Sequence, residues 1–118
     1  MSRVLALVPD LLFASKVQAM LAGEGHEVRI ASAPPDPEQL DHTDVLVVDL
    51  ADRGLDGVEV VRALRVGERA PRVRVLGFFA HVEPEVRERA LQAGFDLVVP
   101  RSRMAREGAA LVARLGDG

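Results

Sequence analysis

At 118 residues, 48% of them hydrophobic and 28% charged, the chain has the size and balance of one compact domain spanning 1–118, which excludes a disordered tail or a fibrous repeat. Its 15 basic residues are interspersed with 18 acidic ones, for a formal charge of −3, and this leaves no basic stripe for nucleic acid. The lack of cysteine excludes disulfides and thiolate chemistry, and no apolar run is long enough for a membrane span or a signal-peptide core, so a cytoplasmic home is the default.

The chain opens with the short apolar run VLALV at 4–8, which reads as a strand buried on both faces. Phe13, Val17, Met20 and Leu21 then fall on one face at helical spacing. Residues 27–31, EVRIA, alternate polar and apolar, as expected of a strand at a sheet edge. Where the next helix should follow, Pro34, Pro35 and Pro37 leave room for only a turn or so around Glu38 to Asp41, so the second crossover helix is expected to be stunted or missing. A third strand at 45–48 is followed by a helix presenting Val58, Val61 and Leu64. A fourth strand at 75–79 precedes a helix that begins near Pro84, presents Val86, Ala90 and Ala93, and ends at Gly94. The last strand, 97–99, leads into a helix from about Ser102 with Met104, Gly108, Leu111, Val112 and Leu115 on one stripe.

Strict alternation of strands and helices implies an α/β fold, with parallel strands joined by right-handed crossovers and helices on both faces. Ligand sites in such sheets lie beyond the carboxyl ends of the strands. Here those ends carry Val8, Pro9 and Asp10, the stretch 49–52, the stretch 79–81, and Pro100, Arg101 and Ser102, with 31–33 more peripheral. Asp49 is the informative residue, because it places a carboxylate at the mouth of the most central strand, where it can be a nucleophile, a metal ligand or an anchor for a loop. Asp10, after a proline at a helix start, fits an N-cap better than a metal ligand. Asp56, three residues before Glu59, has the spacing of a capping box, and Asp52 reads as solvated loop. His81 fits a surface histidine better than an acid or base, and His26 and His42 have weaker claims still. No glycine-rich phosphate cradle follows any strand.

Segment 44–57, DVLVVDLADRGLDG, resembles the phosphoacceptor segment of bacterial response-regulator receiver domains without a gap. The resemblance continues through 3–28, Ala80 to Glu83, 90–94 and Asp96, and so covers nearly the whole chain. It implies a flavodoxin-like, doubly wound, five-stranded parallel sheet of order 2-1-3-4-5. Asp49 takes the family's phosphoacceptor position and Arg101 that of its lysine. The two acidic positions that hold magnesium in the family fall on Val8 and Pro9, its hydroxyl position on Phe79, its switch aromatic on Val98 and the proline after its lysine on Ser102.

These departures point to a pseudo-receiver that works by protein contact rather than conventional magnesium-dependent phosphorylation, with no cofactor and no metal; Asp10 and Asp49 are the only, weak, metal candidates. The expected contact face is the fourth helix, fifth strand and fifth helix, with Arg87, Arg89, Arg101, Arg103 and Arg106 among Glu88 and Glu107. One alternative is a working phosphoacceptor at Asp49 with magnesium, Arg101 standing in for lysine. Another is a small anion-binding protein or enzyme on the same sheet, against which an apolar plug of Val8, Pro9 and Phe79 would count. Without phosphate, Asp49 would pair with Arg101 or cap a loop.

Overall fold

A computed structural model describes residues 2–52, 54–66, 73–80 and 83–117. Five strands, β1 (Arg3–Leu7), β2 (Glu27–Ala31), β3 (Val45–Asp49), β4 (Arg74–Phe79) and β5 (Leu97–Pro100), form one parallel sheet of order β2-β1-β3-β4-β5. Between and after them run α1 (Leu11–Gly23), α2 (Pro37–Asp41), α3 (Gly57–Val66), α4 (Pro84–Ala93) and α5 (Arg101–Asp117). The expected doubly wound architecture is therefore present, with β2 as the half-exposed edge strand and α2 cut to five residues. The last helix starts at Arg101, directly after β5 and one residue before the position expected from its apolar stripe.

The alternation of side chains along each strand divides the core in two. Val4, Ala6, Val8, Val45, Val47, Leu76, Phe78 and Val99 meet α1 and α5 on one face. Leu5, Leu7, Leu46, Val48, Val75, Phe79 and Val98 meet α2, α3 and α4 on the other. β3 is buried along its whole length, which is why its sequence is continuously apolar until Asp49.

Gly94 ends α4 with φ +113°, and its carbonyl accepts hydrogen bonds from Arg65 Nη2 at 3.0 Å and Nε at 3.3 Å. A Cβ there would lie 2.7 Å from the Arg65 side chain. Gly94→Ala is therefore expected to cost about 1–2 kcal/mol in backbone strain alone, read as a lower urea midpoint at unchanged m-value. Next to this cap, Asp96 accepts from Val75 N at 2.8 Å and pairs with Arg65 at 3.3 Å and Arg74 at 3.5 Å, tying α3, β4 and the entry to β5 together.

Candidate functional site

Asp49 is the last residue of β3, and its place in the alternation puts its side chain on the α1 and α5 face, in register with Phe78 of β4. It is only 2% exposed. Its Oδ1 accepts a hydrogen bond from Ala51 N at 2.8 Å, so the carboxylate does cap the loop that follows β3. Burial pushes its carboxyl above the ordinary aspartate value; the Ala51 hydrogen bond and the positive charge of Arg101 oppose this, and Asp52 reinforces it.

The Phe78 ring packs against Phe13 of α1, with centroids 5.0 Å apart and planes tilted by 52°. Above Phe13 lies the Arg101 guanidinium, its carbon 4.0 Å from the ring centroid. Arg101 Nη2 donates to Asp10 Oδ2 at 3.3 Å, while its buried Nε has no hydrogen-bond partner. Asp10 Oδ1 in turn accepts from Leu12 N at 3.0 Å and Phe13 N at 3.2 Å, the expected N-cap of α1. The Phe13 N–H bond, together with Arg101, holds the Asp10 carboxyl below its ordinary value despite partial desolvation.

Of the two arrangements expected for Asp49, the loop cap forms and the pairing with Arg101 does not, because Arg101 pairs with Asp10. The physical reason is desolvation: joining a guanidinium to the buried Asp49 would strip water from both charges, whereas Asp10 and Arg101 keep side-chain exposures of 45% and 35%. Nor do Val8, Pro9 and Phe79 make one plug. Val8 and Phe79 are buried on opposite faces of the sheet and Pro9 is half-buried; the aromatic cover on the face of Asp49 comes from Phe78 and Phe13. Phe79 packs in the same apolar cluster as Val98, so both departures from the family pattern are absorbed by core packing.

The residues present do not fit a magnesium ion. Magnesium needs several oxygen ligands, yet Val8 and Pro9 offer no side-chain oxygen and both oxygens of Asp10 are engaged. Among the described residues no group of three His, Cys, Asp or Glu could hold a metal.

The remaining candidates are structural where the structure describes them. Asp56 Oδ1 accepts from Glu59 N at 3.1 Å and caps α3, but only half of the expected capping box forms, because the Glu59 carboxylate turns to Arg62 at 2.7 Å. Asp52, half-buried, accepts from Gly54 N at 2.8 Å. His26 is buried, with Nδ1 accepting from Ser2 N at 3.1 Å and Nε2 3.2 Å from the Ala109 carbonyl oxygen, so it joins β1 to α5. His42 is exposed at the end of α2, and His81 lies outside the described residues. Arg87, Arg89 and Arg106 are exposed, Arg101 and Arg103 half-buried, and Arg103 pairs with Glu107 at 3.2 Å. Among the described residues no helix is long and apolar enough to cross a membrane.

A five-stranded 2-1-3-4-5 sheet with a carboxylate at the mouth of β3 and a cation at the end of β5 matches the fold of receiver domains. No protein-family model matches the chain. It is 40% identical, over 92% of its length, to protein-glutamate methylesterase/protein-glutamine glutaminase 5 of Myxococcus xanthus (strain DK1622), of which it spans 34%. The signal receiver domain of a Mycobacterium tuberculosis response regulator designated NarL matches 99% of this chain and 97% of its own, at 28% identity and a TM-score of 0.80. The Vibrio cholerae chemotaxis protein CheY4 superposes over 98% of each chain with a TM-score of 0.84 at 19% identity. The chain therefore has the fold of response-regulator receiver domains and is similar in sequence, at 28% identity, to one of them.

Proposed function

We propose that residues 1–118 act as a single cytoplasmic pseudo-receiver, a signalling domain that works by protein contact, is not itself an enzyme, and does without conventional magnesium-dependent phosphorylation of Asp49. The observation that carries this reading is the environment of Asp49. The carboxylate is buried, bound to Ala51 N, and in register with a phenylalanine, while the cation that would meet a phosphoryl group is held by Asp10. Phosphoryl transfer relies on charge neutralisation at the transferring group, and valine and proline stand where the metal ligands would be.

The contact face is assigned to α4, β5 and α5. Its exposed arginines alternate with Glu88 and Glu107, a mixed-charge pattern that favours specific pairing over bulk adhesion. The apolar side chains Met104, Leu111 and Val112 of α5 are turned into the core, so recognition there rests on charge and shape. The phosphoacceptor alternative draws support from one feature, the positive charge of Arg101 acting on Asp49.

The two readings part in the presence of acetyl phosphate and magnesium. Intact-mass measurement is expected to show no phosphoryl adduct at neutral pH. An adduct that disappears in Asp49→Asn would contradict the pseudo-receiver and establish an unusual phosphorylation switch.

A further inference from the structure

A full second crossover helix would cover the flank of α3, but α2 is only five residues long and inserts one side chain, Leu40, into the core. What remains is an open groove of about 490 Å³, walled on one side by Pro34 and Pro35 and on the other by Leu55, Val60, Ala63 and Leu64. The helical spacing of Glu59, Ala63 and Val66 extends that wall to a valine that is 75% exposed. The proline wall has fixed φ angles, so this side of the groove is rigid before anything binds.

We infer that this groove binds an amphipathic helix of a partner protein, carrying an apolar stripe flanked by lysine or arginine, which takes the place of the missing second crossover helix. Two features select that occupant. Among the described residues the charged ones lining the groove, Asp56 and Glu59, are both acidic, and the exposed Asp36 and Glu38 follow directly on the proline wall; of the cations nearby, Arg62 is paired with Glu59 and Arg29 donates to the Gln39 carbonyl oxygen at 3.4 Å. None of the described lining residues belongs to a strand, so an extended peptide has no sheet edge to join among them, and recognition must run through side chains packed along the two turns of α3. This surface is separate from the α4, β5 and α5 face, so either assignment can fail alone.

The test uses the whole chain and a synthetic helical peptide of about fifteen residues with leucines at i, i+4 and i+7 and lysines on both flanks. Amide NMR shifts are expected at 32–36 and 54–64, with affinity falling as salt is raised. Ala63→Arg, at an exposed helix position, is expected to weaken binding at least tenfold. Glu59→Gln is expected to weaken it a few-fold and to flatten the salt dependence, while Arg106→Glu on α5 leaves it unchanged. Equal binding of the same peptide with glutamates in place of lysines would overturn the proposal. So would shifts confined to α4 and α5, no shift at millimolar peptide, or a dimer of this chain in sedimentation that Ala63→Arg abolishes.

Discussion

Phe13→Ala is expected to lower the stability of the folded chain by about 3–5 kcal/mol and to free Arg101 from its present position. Phe13 is 9% exposed and does two things at once. Its ring fills the space between α1 and β4 against Phe78, and its face supports the Arg101 guanidinium at 4.0 Å. Phe13→Leu retains much of the apolar volume but offers no π face, so it is expected to cost less while still releasing the arginine. Urea unfolding of both variants separates the contributions. A double-mutant cycle of Phe13→Leu with Arg101→Met is expected to give a coupling of about 0.5–2 kcal/mol. Additive effects would mean that the ring acts only as filler.

The second large effect concerns Asp49 and pH. Burial raises its carboxyl in the folded chain above the unfolded value of 3.8, so at neutral pH the ionised group opposes folding. This penalty is fully present above the raised folded value and disappears as pH falls from there through the unfolded value. Asp49→Asn keeps an oxygen for the Ala51 N–H and carries no charge. It is expected to be more stable than the parent at pH 7 by about 0.5–2 kcal/mol, the usual size of a single stabilising substitution, with the difference shrinking toward pH 4. Asp10 and Asp44 behave in the opposite sense. Both carboxyls are held below their ordinary values, Asp44 mainly by hydrogen bonds from the Arg3 side chain and backbone. Their contributions are present above the unfolded value and are lost as pH falls through the folded one. Thermal unfolding of parent and variant across pH 4 to 7 reads the Asp49 effect; a gap that widens on acidification would contradict it.

Most of the fold was legible because its signals are local. Continuous apolar runs mark doubly covered strands, three prolines mark the failed second crossover helix, and a glycine at the end of an amphipathic stripe marks the left-handed cap at Gly94. Strand order did not come from these patterns; it came with the family resemblance. At the site, Asp49 and the capping role of Asp10 were legible, but the arrangement around them was not. Phe13 read only as a core position of α1, and Phe78 was hidden inside an apolar strand run. Their meeting depends on the packing of α1 against β4 and has no local signature. One signal was available: alternation from Val45 places Asp49 on the same face as Val47, and alternation along the fourth strand puts Phe78 and Phe79 on opposite faces of the sheet. The pairing of Arg101 with Asp10 rather than Asp49 follows from relative burial, which a linear pattern does not carry. The roles of His26 and Asp96 as ties between distant elements were hidden for the same reason.

The most direct measurement of the central claim is a titration with magnesium and beryllofluoride, a mimic of the acyl phosphate, followed by amide NMR shifts in the parent and in Asp49→Asn. The pseudo-receiver account predicts a folded spectrum with no shifts around Asp49 and Arg101 in either protein. Shifts at those residues in the parent that vanish in the variant would contradict it, and would show that this site accepts a phosphoryl group without the family's acidic pair.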